Sequence, residues 1–203
     1  AVNGIVIPAG ILRGHFYNPE FPLAMKYGGI GSVVGHELTH GFDDQGAQFD
    51  LNGNLSNWWT AESYKQFKEK AKCVVDLYSS YTVLNGSRHL NGSLTNGENI
   101  ADMGGVKTSF GAFREAMRTS RETEEAIKKS FSMTADQLYF VSYAQNWCTL
   151  YKPERITSQI LTDPHSPGRY RVVGPLSNFD EFHKAFSCKS GSYMNPTKQC
   201  SVW

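Results

Sequence analysis

The chain has 203 residues, a net charge of +1, 40% hydrophobic residues and 19% charged residues. A chain of this length can bury a hydrophobic core as one domain, so we expect a single domain over residues 1–203. The near-neutral charge and the ordinary hydrophobic content argue against a disordered chain and against a nucleic-acid partner.

The first predicted elements are a strand, a helix and a loop. Residues 5–12 indicate a short buried strand interrupted by Pro8 and Gly10. Residues 28–42 are apolar nearly all round, which predicts a helix buried in the protein. Residues 43–57 are dense in Asp, Asn and Gly, which is typical of a loop.

Helical patterns dominate the rest of the chain. Two helices are predicted over residues 60–81 and 134–150, each beginning at a capping threonine, Thr60 or Thr134. Residues 97–118 form a third helical pattern. The charged segment 118–129 indicates a solvated helix or a loop.

The C-terminal region is predicted to be mixed. Residues 171–173 read as a short strand and residues 178–186 as a last helix. No internal repeat is present, so the predicted fold class is mainly α with a small β component.

Cysteines and glycosylation sequons favour a secreted or luminal environment. The cysteines form no C-x-x-C pair, which leaves disulfides and buried thiols open. The four cysteines are Cys73, Cys148, Cys188 and Cys200. Three sequons lie in segments typical of surface loops, at Asn54, Asn85 and Asn91. No run approaches the roughly 20 apolar residues of a transmembrane helix, so we expect any anchor or export signal to lie outside this chain.

The motif with the clearest chemistry is His36-Glu-Leu-Thr-His40. Two histidines four residues apart lie about 40° apart around a helix, so both can reach one zinc ion. Glu37 lies about 100° from His36 and can take a proton from a water molecule beside the metal. The alternative is a buried helix with two hydrogen-bonded histidines, which is weakened by the apolar surroundings because unpaired imidazoles are costly there.

A catalytic zinc site needs a third protein ligand, and Glu98 is the candidate. Glu98 begins a helical segment, and Asp102 follows on the same face, where it can orient a ligand histidine. Acidic residues are also favoured at helix starts by the helix dipole, so the pattern alone leaves both interpretations open.

At these residues the chain resembles the neprilysin and endothelin-converting enzyme family of zinc peptidases. The resemblance covers essentially the whole chain and includes many separate motifs. They include HELTHGFDD at 36–44, GENIAD at 97–102, AQNWC at 144–148, HSP at 165–167 and CSVW at 200–203.

The resemblance implies a thermolysin-like (gluzincin) catalytic domain that forms the C-terminal portion of a larger ectodomain. It implies one Zn²⁺ per chain, held by His36, His40 and Glu98, with Glu37 as the general base and Asp102 as the orienting partner.

The resemblance also implies residues that contact the substrate. His165 matches a histidine that stabilises the oxyanion of the transition state. Arg171 matches an arginine that binds the substrate backbone near the cleaved bond. On sequence alone these two residues read as an exposed loop histidine and a surface arginine. Four residues match positions lining an apolar pocket for the residue after the cleaved bond, namely Ile11, Phe16, Val33 and Trp147.

Family members carry a membrane anchor and an N-terminal part that closes over the site, and this chain resembles only the C-terminal part. The resemblance implies a bond between Cys73 and Cys200, with Cys148 and Cys188 pairing with cysteines of the N-terminal part. It implies an ectodomain of a single-pass type II membrane protein or a secreted protein, with membrane contact only through an upstream anchor. Ser201 replaces the arginine found in neprilysin before the last two residues, so close specificity does not carry over.

The predicted activity is zinc-dependent hydrolysis of oligopeptides on the amino side of hydrophobic residues. Two alternatives stay open: a non-catalytic family member that keeps zinc for structure, and a folded fragment that is inactive without the rest of the protein. All catalytic residues are present, which favours the enzyme.

Overall fold

The structure is a computed structural model that describes residues 3–203. It contains nine α-helices within this range, so the predicted mainly α fold class is confirmed. They are α1 (Leu23–Lys26), α2 (Ser32–Thr39), α3 (Ala61–Ser80), α4 (Asn96–Thr119), α5 (Glu124–Phe131), α6 (Ala135–Gln145), α7 (Pro153–Thr162), α8 (Gly168–Leu176) and α9 (Asp180–Ala185).

Shorter elements connect these helices. The β component is one antiparallel pair, β1 (Thr82–Val83) and β2 (Arg88–His89), in which Thr82 faces His89. The remaining helical turns are the 3₁₀ turns Ala9–Ile11, His40–Phe42 and Gly46–Gln48, and the π turn Tyr27–Gly31.

The helix starts follow local capping chemistry. The hydroxyl of Thr60 accepts a hydrogen bond from the backbone N–H of Ser63, which begins α3 as predicted. Thr134 and Gln137 form a reciprocal capping box at the start of α6. Helix α6 ends at Gln145, five residues before the predicted end.

Helix α4 contributes side chains to two hydrophobic cores. Ile100 packs in the first core with α3, the β pair and α8. Phe110 and Phe113, further along α4, pack in the second core with α1, α5, α6 and α9. The N-terminal turn of α4 therefore has a fixed position relative to most of the molecule.

Two predicted strands were wrong. Residues 5–12 pair with no strand in the described chain, and Val6 is 84% exposed. Pro8 and Gly10 break the segment into an irregular stretch and a 3₁₀ turn. Residues 171–173 are helical and lie within α8. The helix begins after Pro167 and places Arg171 in a buried ion pair. That tertiary contact outweighs the β preference of the two valines.

Within residues 3–203, none of the helices combines the length and the apolar character that a membrane crossing requires.

Candidate metal centre

The two motif histidines point their ring nitrogens at one another. His36 lies in the last turn of α2 and His40 begins the following 3₁₀ turn, which places the two Nε2 atoms 3.0 Å apart. His36 Nδ1 lies 2.8 Å from Asp102 Oδ1, and His40 Nδ1 lies 2.7 Å from Asp43 Oδ2. Because a carboxylate only accepts, each Nδ1 donates its proton outward and each Nε2 is left to act as a metal ligand.

Glu98 completes a triangle of donor atoms. Its Oε2 lies 3.2 Å from His36 Nε2 and its Oε1 lies 3.6 Å from His40 Nε2. The ligand atoms of these three residues all lie within 4.8 Å of one another.

The donor set fits a divalent cation. Bonds of about 2.0–2.1 Å in tetrahedral geometry separate the ligand atoms of zinc by roughly 3.3 Å, which is close to the separations seen here. Glu98 Oε2 is buried, and the Nε2 atoms of His36 and His165 each lie 3.2 Å from it. Two imidazoles and a carboxylate are a ligand set that zinc accepts.

A proton competes with a cation for this site. Burial alone would lower the pKa of His36, but its hydrogen bonds to Asp102 and Glu98 outweigh burial and raise the pKa to about 9. Burial likewise opposes the charge of Glu98, whereas hydrogen bonds from His165 and His36 hold its pKa well below the usual value. The carboxylate is therefore ionised at neutral pH.

Asp102 joins His36 to a buried arginine. Arg171 donates from Nε to Asp102 Oδ2 and from Nη2 to Oδ1, both at 2.7 Å. Burial opposes ionisation of Asp102, but the charge of Arg171 holds its pKa below the usual range. The guanidinium carbon lies 3.8 Å from the centre of the Trp147 ring. Arg171 is therefore not the surface residue that its local sequence suggests.

His165 lies beside the candidate ligand Glu98. Its Nε2 is 3.2 Å from Glu98 Oε2, and its Nδ1 is 2.9 Å from Asp163 Oδ1. The hydrogen bond to Glu98 is the main reason that the pKa of His165 is raised. The side chain is 43% exposed, so its ring can also meet a ligand.

Glu37 is partly exposed, and within residues 3–203 it makes no hydrogen bond or ion pair. The carboxylate next to His36 is therefore available to a water molecule or a substrate.

Two carboxylates at this site were not predicted from the sequence. Asp43 accepts from His40 and from the backbone N–H groups of Gln45 and Gly46, and Asp163 accepts from His165. Each lies two or three residues from the histidine that it contacts. That short spacing in the sequence could have predicted both contacts.

The four pocket residues, Ile11, Phe16, Val33 and Trp147, are all partly buried and come from different segments. A shared pocket for a substrate side chain stays a prediction.

The structure contains a disulfide between Cys73 and Cys200, with Cα atoms 5.7 Å apart. Cys148 is exposed and Cys188 is partly buried, and neither is bonded within the described chain. The sequon residues Asn54, Asn85 and Asn91 are all exposed.

Comparisons with known proteins agree on the family. The chain is 48% identical over 201 residues to endothelin-converting enzyme-like 1 of Homo sapiens, which covers 99% of this chain and 25% of that protein. It is 45% identical over 202 residues to neprilysin of Homo sapiens, which covers 99% of this chain and 27% of that protein. The chain therefore spans about a quarter of the length of the curated relatives that it matches.

Solved structures show the same architecture. The zinc metalloprotease ZMP1 of Mycobacterium tuberculosis, in complex with an inhibitor, matches with a TM-score of 0.89 and 34% identity over 97% of this chain and 30% of that chain. PEPO from Lactobacillus rhamnosis HN001 matches with a TM-score of 0.82 and 31% identity over 97% of this chain and 29% of that chain. The family model of peptidase family M13 matches residues 1–202, and this chain belongs to that family.

Proposed function

We propose that this chain carries the catalytic centre of a zinc-dependent endopeptidase that cleaves oligopeptides. The observation that supports this most strongly is the convergence of His36, His40 and Glu98 on one point. Those three residues would hold one zinc ion, which when bound supplies a Lewis acid that polarises a carbonyl and acidifies water.

Glu37 acts as the general base in this proposal. Its carboxylate, free of partners in the described chain, accepts a proton from the attacking water and later passes that proton to the departing amine.

His165 and Arg171 act on the substrate. His165, with Nδ1 held by Asp163, donates from Nε2 to the oxygen on which negative charge develops. Arg171 commits Nε and Nη2 to Asp102, and its Nη1 has no hydrogen bond within residues 3–203. That group can donate to a carbonyl of the substrate backbone.

Substrate preference and location complete the proposal. The expected pocket residues support cleavage on the amino side of hydrophobic residues. The disulfide and the three exposed sequons support an extracellular or luminal, glycosylated protein. The greater length of the relatives supports a partner role for a preceding part of the same protein, including any membrane anchor.

The test is a fluorogenic peptide assay with and without a chelator, on this chain and on a longer form that includes preceding residues. We expect chelator-sensitive cleavage by the longer form at least. Zinc analysis of Glu98→Ala accompanies the assay, and we expect this variant to lose the metal. A zinc stoichiometry near one in Glu98→Ala would exclude Glu98 as a ligand.

A further inference from the structure

Helices α2 and α4 touch backbone to backbone where they cross. A Cβ atom added to Gly105 of α4 would lie 2.6 Å from the backbone N of His36 and 2.9 Å from its Cα. In the opposite direction, a Cβ atom added to Gly35 of α2 would lie 2.7 Å from the carbonyl oxygen of Gly105. These separations are far below the roughly 3.5–4.0 Å of a favourable contact, so neither position has room for a side chain.

The metal centre bridges the same two helices. Asp102 lies three residues before Gly105 on α4. Its side chain is the shorter of the two carboxylate types, and its Oδ1 lies 2.8 Å from His36 Nδ1. Glu98, one turn earlier, reaches His36 Nε2 at 3.2 Å. Both contacts require that α4 lies directly against the backbone of His36.

We propose that Gly105 is a positioning residue for the metal centre. The absence of its side chain sets the distance between α2 and α4 at which Asp102 and Glu98 both meet the His36 ring. A methyl group at residue 105 pushes the backbone of His36 away from both carboxylates. The inference deepens the proposed function and rests on the zinc site described there.

Gly104 offers a related contact that can be relieved. A Cβ atom on Gly104 would lie 2.4 Å from Cγ2 and 2.5 Å from Oγ1 of Thr39, both of them side-chain atoms. Shortening Thr39 to Ala removes both atoms and leaves Cβ at 3.0 Å. Gly104→Ala alone should therefore disturb the packing of α2 against α4. The double variant Gly104→Ala, Thr39→Ala should disturb that packing much less.

The experiment compares Gly105→Ala with Gly111→Ala, a matched control on the same helix where an added Cβ meets nothing within 4 Å. Zinc affinity is measured by competition with a chelator, and the unfolding temperature is measured on the metal-free proteins. We expect Gly105→Ala to bind zinc about 10- to 100-fold more weakly, the range typical of disturbed partners of metal ligands. Gly111→Ala should stay within about twofold of the wild type. Alanine favours a helix over glycine, so intrinsic propensity does not explain a loss at residue 105.

A purely structural role gives a different result. Gly105→Ala would then unfold at a lower temperature while its folded molecules bind zinc as tightly as Gly111→Ala does, and that outcome overturns the inference. If Gly105→Ala does not fold, the decision rests on Gly104→Ala. We expect weakened zinc binding in Gly104→Ala and recovery of most of it in the double variant with Thr39→Ala, and failure of either step overturns the inference.

Failure of the proposed function gives a different result from failure of the inference about Gly105. A wild-type chain that binds no zinc overturns the metal centre itself, and the inference with it. Equal zinc affinity in the wild type, Gly111→Ala and Gly105→Ala overturns the inference alone.

Discussion

Asp163 holds His165 through a single carboxylate oxygen. Oδ1 of Asp163 lies 2.9 Å from the ring Nδ1 of His165 and 3.0 Å from its backbone nitrogen. Both groups donate to that oxygen, which fixes the backbone turn and the ring together. Nε2 is thereby directed towards Glu98 and the candidate metal position.

Replacing Asp163 should misalign His165 without releasing the metal. We expect Asp163→Ala to lower kcat/KM by roughly 10- to 100-fold, less than the 10²–10³ lost when an oxyanion donor is removed outright. Zinc content should stay unchanged. Asp163→Asn keeps an acceptor oxygen and should recover part of the activity. A control is Asp76→Asn, which breaks an exposed ion pair with Lys72 and should leave kcat/KM unaltered.

Glu37→Gln should keep zinc and lose turnover. Glutamine preserves the shape of the side chain but cannot accept the proton from water, so we expect kcat to fall by roughly 10²–10⁴. Elemental analysis should give the zinc content of the wild type. Glu125→Gln, at an exposed position on α5, is the matched control. Full peptidase activity in Glu37→Gln would contradict the assignment of the base.

The metal-free protein should lose stability as pH rises, whereas zinc binding should tighten. The folded pKa of His36, about 9, lies above its ordinary value of 6.5, so its contribution to folding is complete below pH 6.5 and is lost as pH rises through 9. Over the same window fewer protons compete with zinc. Urea unfolding and chelator competition between pH 6.5 and 9 measure the two trends. His36→Gln should flatten the first trend, and an unchanged slope would argue against His36 as its source.

Reducing the disulfide should cost considerable stability. Cys73 and Cys200 are 127 residues apart, and closing a loop of that length restricts the unfolded chain by up to about 5 kcal/mol in the entropy model. We expect a Cys73→Ala, Cys200→Ala variant to unfold well below the wild type in thermal scans. Cys148→Ala, which breaks no bond within the described chain, should leave the unfolding temperature nearly unchanged.

The sequence predicted the elements whose signal is local. The apolar run around His36, the capping threonines Thr60 and Thr134 and the start of the Glu98 helix all depend on neighbouring residues. Strands were wrongly predicted at residues 5–12 and 171–173, because a short apolar run does not distinguish a strand from other structure.

Local sequence patterns did not predict contacts between residues that lie far apart in the sequence. Arg171 meets Asp102 across 69 positions of sequence, and nothing near Arg171 indicates that it is buried against Trp147. Resemblance to relatives supplied a role for Arg171, but the ion pair with Asp102 emerged only from the folded chain. Asp43 was within reach of local reasoning, three residues after His40, and was overlooked.

The position of α4 in both hydrophobic cores links the proposed metal centre to the packing of most of the described chain. Loosening either core would tilt the helix that presents Glu98 and Asp102 to the histidines. Loss of either core should therefore also weaken zinc binding, whereas a chelator can remove the ion from a chain whose cores stay folded.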